Sequence, residues 1–134
     1  MNAEEAYILV IEDDPNNLMV TTDLLRLVGV RYINARASGW QGLKLAETMP
    51  RVDLILLDIQ LPREDGYTVL RQIRAHPKLH HTRVVAVTAN VLPQDEAKIR
   101  TAGFDGMIGK PLDFDRFPQQ ILAILADEPI WMPR

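Results

Sequence analysis

The chain has 134 residues, a net charge of -3 and no cysteine. That length suits one domain with one core, and the mild acidity excludes binding to nucleic acid by charge alone. Without cysteine there is no disulfide framework and no thiol chemistry, which suits the cytoplasm. No apolar run reaches the roughly 18 to 20 residues that cross a bilayer, and the polar start Met1-Asn-Ala-Glu-Glu5 is unlike a secretory signal.

Short apolar runs alternate with helix-period stretches, the pattern of βα units around a parallel sheet. Five strands are predicted, at about 7–11, 31–35, 53–57, 83–87 and 106–109. After the first, Asp14 reads as an N-cap and Pro15 as the first helical residue. Leu18, Leu24, Leu25 and Val28 then form an apolar stripe that stops at Gly29, so the first helix is expected over 15–28. Ser38 caps a second helix whose Trp40, Leu43, Ala46 and Leu45 or Met49 face inward before Pro50 ends it. Tyr67, Leu70 and Ile73 mark a third, closed by His76-Pro77, and a fourth begins near Pro93. A fifth opens at Asp113, with Phe114, Phe117, Ile121, Leu122 and Leu125 recurring at helical spacing toward the sheet. The tail from Asp127 to Arg134 carries two prolines and should not continue that helix, which divides the chain into a domain over 1–126 and a tail over 127–134. Trp131 in that tail either packs back on the domain, lies exposed, or serves as a partner or dimer contact.

Three of the apolar runs stop on polar groups: the first on Glu12-Asp13, the third on Asp58, the fourth on Thr88. In neighbouring strands of one parallel sheet these ends meet at one edge. Stability does not require such crowding. Two carboxylates about 4 Å apart repel by roughly 4 kcal/mol at an effective dielectric near 20, so the cluster wants a bound cation or a nearby Lys. Lys110, in Gly109-Lys110-Pro111, is the candidate.

Asp58 precedes Ile59-Gln60-Leu61-Pro62, a loop signal, so its carboxylate should face the open edge. A carboxylate there can attack a phosphoryl group to give an acyl phosphate, provided a metal and a cation screen the approach of two anions. Glu12 and Asp13 would supply the metal site, and Mg²⁺, a hard cation suited to carboxylate, carbonyl and water oxygens, is the natural occupant. Lys110 would neutralise the transferred group while the Thr88 hydroxyl donates to one of its oxygens. Singly, each residue reads as a turn cap; together, in this order, they point to phosphoryl chemistry. His76, His80 and His81 read as solvated residues of a surface loop, and Gly103, Gly106 and Gly109 as turn and helix-end residues.

The order Ile11-Glu12-Asp13-Asp14, Leu57-Asp58-Ile-Gln-Leu-Pro62 with Gly66, Val87-Thr88-Ala89 and Lys110-Pro111 resembles the receiver domain of bacterial response regulators from about Tyr7 to Ala126. It looks most like a stand-alone receiver. The resemblance implies a doubly wound, flavodoxin-like α/β fold: a five-stranded parallel sheet in the order 2-1-3-4-5 with five helices on its two faces. It implies that Asp58 accepts a phosphoryl group from a phosphohistidine of a sensor histidine kinase or histidine phosphotransfer protein. Mg²⁺ would be held by Glu12, Asp13, Asp58 and the Gln60 carbonyl, Thr88 and the Ala89 amide would contact the phosphoryl oxygens, and Lys110 would pair with them across a cis bond to Pro111. Output would pass to a downstream protein, with no membrane or direct nucleic-acid partner, and with a homodimer through the face of the fourth helix, fifth strand and fifth helix as a further implied state. Met107 departs from the family, which usually carries Tyr or Phe there.

Two rivals frame that expectation. A receiver excised from a hybrid kinase or a larger transcriptional regulator would carry the same residues, although a start at Met1 with a six-residue lead favours a complete small protein. A magnesium-dependent phosphatase with an aspartate nucleophile needs an acid/base two residues beyond it, where this chain has Gln60, which cannot shuttle a proton. The expectation is therefore a signalling protein and not an enzyme.

Overall fold

The computed structural model describes residues 1–132. Its parallel sheet runs in the order β2-β1-β3-β4-β5-β6, built from β1 (Tyr7–Ile11), β2 (Tyr32–Arg36), β3 (Leu54–Asp58), β4 (Arg83–Thr88), β5 (Gly106–Gly109) and β6 (Ile130–Met132). Between them lie α1 (Pro15–Val28), α2 (Gly39–Ala46), α3 (Gly66–Ala75), α4 (Pro93–Ala102) and α5 (Phe117–Leu125). The first five strands follow the expected order and the doubly wound fold stands; the short sixth strand is an addition, contributed by the tail.

The central strand β3, Leu54-Ile-Leu-Leu-Asp58, is buried along its whole length because helices cover both faces. Strand alternation divides the core. Ile8, Val10, Leu54, Leu56, Val85, Val87 and Ile108 pack with Leu25, Phe117 and Ile121 on one side, while Leu9, Ile11, Ile55, Leu57, Ala86 and Met107 pack with Leu70, Ile73 and Ile99 on the other. Each fully buried aliphatic side chain contributes roughly 1.5–3 kcal/mol by leaving water, so these two layers dominate the stability of the fold.

The helix starts follow local chemistry. The Asp14 carboxylate accepts from the amides of Asn16 and Asn17 at 2.8 and 3.3 Å, with Pro15 as the first helical residue, and Gly29 ends α1 in the left-handed conformation at φ 109°. Ser38 caps α2 and Asp65 caps α3. Gly103 ends α4 as expected, whereas Gly106 and Gly109 lie within β5.

Three apolar residues assigned to the core lie outside it. Trp40 is 67% exposed because α2 buries the opposite face, Gly39, Gly42 and Ala46. That face is made of small residues for a reason: a Cβ on Gly42 would lie 2.8 Å from Ile11 Cδ1, so only a bare backbone reaches β1. Phe114 is also 67% exposed, because Asp113 accepts from the amides of Asp115 and Arg116 in a turn and α5 begins only at Phe117. Leu122 is exposed on the outer side of α5. His80 and His81 lie exposed in the turn after α3 as expected, while His76 is half-buried with Nε2 3.7 Å from Glu47 Oε2.

Candidate functional site

Strand register explains how distant residues meet. Ile11 pairs with Leu57, so Glu12 falls level with Asp58; Asp58 pairs with Val87, Thr88 with Gly109, and Lys110 follows one residue beyond. Four strand ends thus deliver their polar residues to one edge of the sheet. Alternation then sorts them: Glu12, Asp58 and Lys110 continue the face that holds Val10, Leu56 and Ile108, and Thr88 continues the face that holds Ala86.

The carboxylates of Glu12, Asp13 and Asp58 converge, with one oxygen from each lying within 4.8 Å of the others. Glu12 and Asp58 are 4% and 3% exposed, and Asp13 is half-buried. Lys110 bridges the two buried acids, its Nζ 2.9 Å from Glu12 Oε1 and 3.2 Å from Asp58 Oδ2. Backbone donors complete the arrangement: the Gln60 amide donates to Asp58 Oδ1 at 2.9 Å and the Asp14 amide to Glu12 Oε2 at 3.1 Å. One cation against three carboxylates leaves an excess of negative charge. A hard divalent cation fits that donor set.

Burial pushes the Glu12 carboxyl above its usual range, opposed by Lys110 and the Asp14 amide and reinforced by the neighbouring Asp58. For Lys110 burial works against the charge, yet Glu12 and Asp58 together outweigh it and hold the ammonium above its usual range. Lys110 is therefore a permanent cation at neutral pH.

Thr88 is 1% exposed, and its Oγ1 accepts from the Asn90 amide at 3.0 Å. Ala89 opens the exposed loop that leads to α4. The Lys110-Pro111 bond is cis, as the resemblance implied, and the Lys110 amide donates to the Thr88 carbonyl at 2.9 Å, locking the two strand ends together. Every anticipated site residue thus lies at this edge, with Gln60 in the loop that follows Asp58.

Two features escaped the sequence. A cleft of about 260 Å³ lies beside the cluster, with Glu12 and Lys110 in its wall and Val20, Thr21, Pro111 and Phe114 around it. Phe114 was assigned to the core; the turn chemistry of Asp113 was the signal against that. Glu64, in the loop after Asp58, accepts from the Gly39 amide at the start of α2, tying that loop to a second helix. Nothing in the residue spacing announces such a long-range contact.

A doubly wound parallel sheet with clustered carboxylates and a lysine at the carboxyl ends of its strands defines a phosphate- and metal-handling class of protein. Comparison with known proteins places the chain within that class. The family described as the response regulator receiver domain matches residues 8–122, and the chain belongs to it. It is 37% identical over 120 residues to the polar-differentiation response regulator DivK of Brucella anthropi, covering 90% of this chain and 96% of the relative. DivK of Brucella ovis is 38% identical over 121 residues, with the same coverage of both chains. Among solved structures, the receiver domain of the sensor histidine kinase PA1611 from Pseudomonas aeruginosa, with a magnesium ion coordinated in its active site cleft, superposes with a TM-score of 0.78 at 35% identity, covering 92% of this chain and 98% of that one. A putative response regulator from Chloroflexus aurantiacus matches with a TM-score of 0.81 at 25% identity, covering 90% and 98%.

Proposed function

We propose that this chain is a single-domain response regulator, with its receiver unit over 1–126 and its tail over 127–134, in which Asp58 is the phosphoacceptor. The observation that carries this reading is the convergence of Glu12, Asp13 and Asp58 within 4.8 Å, with Lys110 bridging the buried pair. The Asp58 carboxylate attacks the phosphorus of a phosphohistidine; an oxygen–phosphorus bond forms as the nitrogen–phosphorus bond breaks, and the imidazole leaves with the bonding pair. Glu12, Asp13, Asp58 and the Gln60 carbonyl would hold Mg²⁺, which when bound supplies positive charge to the phosphoryl oxygens. Lys110, already poised between the two acids, shifts its donors from Asp58 to the incoming group. The Thr88 hydroxyl and the Ala89 amide take the remaining oxygens.

The donor of the phosphoryl group is a sensor histidine kinase or a histidine phosphotransfer protein, and the exposed Phe114 and Met19 near the cleft offer it apolar contact. Gln60 at the acid/base position makes turnover of external phosphoesters an unsuitable role, so the protein signals instead of acting as an enzyme. It works in the cytoplasm and passes its state to a downstream protein, with a homodimer through the α4–β5–α5 face as the further assembly. Among the described residues no helix is long and apolar enough to cross a membrane. The likeness to the Pseudomonas kinase receiver supports the same chemistry in a receiver embedded in a larger protein.

Acetyl phosphate with Mg²⁺ tests the reading. The expected result, by intact-mass spectrometry, is one added phosphoryl group on the wild type and none on Asp58→Asn. Equal labelling of the two proteins, or no dependence on Mg²⁺, would sink it.

A further inference from the structure

After α5 the chain reverses at Asp127, a non-glycine residue held at φ 68°. The Arg83 guanidinium, from the start of β4, meets its carboxylate and also donates to the Ile124 carbonyl at 2.6 Å. The returning strand β6 then comes very close to β5: a Cβ on Gly106 would lie 2.7 Å from the Ile130 carbonyl oxygen. Trp131 pairs with Met107 along the ladder and packs, half-buried, on the core face that carries Leu57 and Ala86. Above its ring lies Arg100 of α4, with Cζ 4.0 Å from the ring centroid and Nε 3.1 Å from Glu96. These contacts come from three separate elements, β4, β5 and α4, and all serve the tail.

Helix α4 has little else to hold it. It buries only Ile99, whereas α3, of equal length, buries Gly66, Val69, Leu70 and Ile73. The indole under Arg100 is therefore its second anchor. The chain also runs directly from the end of β4 at Thr88 through residues 89–92 into α4. Thr88 continues the same face of the sheet as Ala86, against which Met107 and Trp131 pack.

We propose that residues 127–132 form a latch that clamps α4 to β5 through Trp131, and that a phosphoryl group on Asp58, by drawing Thr88 and the 89–92 loop toward it, loosens that latch. The clamp stands on the contacts above; its release rests on Asp58 being the phosphoacceptor. A structural element whose docking depends on the state of the site is biased by it, and the bias is reciprocal. The tail thereby becomes part of the surface that reports phosphorylation.

Hydrogen exchange on the full chain tests the clamp. In Trp131→Ala the α4 amides are expected to exchange about tenfold faster or more, with β1 and β3 keeping their protection. Arg100→Ala, a change at an exposed side chain, should give the same pattern with β6 still paired. Unchanged α4 exchange in both variants overturns the clamp; if Trp131→Ala loses protection throughout the sheet, Arg100→Ala decides alone. For the release, Trp40→Phe leaves Trp131 as the sole indole of a chain that has two. With acetyl phosphate and Mg²⁺, its emission should move to the red and become more open to acrylamide quenching in step with added mass, and neither change should occur when Asp58→Asn is added. Added mass with unchanged emission overturns the release and leaves the phosphoacceptor reading intact. No added mass overturns both of those, while the exchange result on the clamp stands.

Discussion

Glu12 carries the main electrostatic strain of the site. Its carboxyl is 4% exposed, sits beside Asp58, and is raised above its ordinary value of 4.5 chiefly by burial. An acid with a raised folded pKa holds its proton more tightly folded than unfolded, so protonation stabilises the fold. That contribution is lost as pH climbs from the ordinary value through the raised one. In metal-free buffer, Glu12→Gln is therefore expected to be more stable than the wild type at neutral pH, with the difference shrinking as pH falls below that window. Urea unfolding at several pH values in EDTA measures it; a difference that grows toward acid would contradict the assignment. The amide still offers an acceptor to Lys110, so the comparison isolates charge. Lys110 itself was readable as the compensating cation, because Gly109-Lys110-Pro111 had no structural purpose on its own. What could not be read was that it bridges two acids, since that depends on strand register.

At the scale of elements, the connection from β3 to α3 shows how a glycine positions the site. A Cβ on Gly66 would lie 2.7 Å from Ile59 Cα and 3.0 Å from its carbonyl oxygen, both backbone atoms that cannot move aside cheaply. Asp65 caps α3 just before it, and the Gly66 amide donates to the Ile59 carbonyl at 3.1 Å. Gly66→Ala should cost about 1–3 kcal/mol by overpacking and displace the loop that carries Gln60. Chemical denaturation reads the first effect, and the acetyl phosphate labelling rate, expected to fall, reads the second. Wild-type stability in this variant would show that the loop yields freely. Periodicity located every helix, and caps such as Asp14-Pro15 set the start of α1. It misassigned Trp40 and Phe114 because hydrophobic character alone does not say which side of a helix, or which side of its first turn, faces the sheet. The small residues Gly39, Gly42 and Ala46 were the inward face of α2, a pattern that reads as weak packing until the nearness of β1 is known.

For the whole molecule, the convergent strand ends make metal binding and folding one equilibrium. A cation that binds only the folded cluster stabilises it by about 2.7 kcal/mol at a concentration a hundredfold above its dissociation constant. Thermal unfolding should accordingly rise on adding Mg²⁺ to chelator-treated protein, with a smaller rise in Asp58→Asn. Equal rises in the two proteins would place the cation elsewhere. The sequence by itself determined the βα alternation, the five strands of the core sheet, and the residue types of the site with their order along the chain. It could do so because buried parallel strands are short continuous apolar runs, and because polar residues at their ends are conspicuous. Tertiary structure alone decided which of those residues touch: register sets Glu12 level with Asp58, and alternation brings Lys110 to them while turning Thr88 to the other face. It alone also turned the tail into β6. Three residues after two turns carry no periodicity to detect, and their place beside β5 depends on Arg83, Gly106 and Arg100, contacts separated from them by tens of residues of chain.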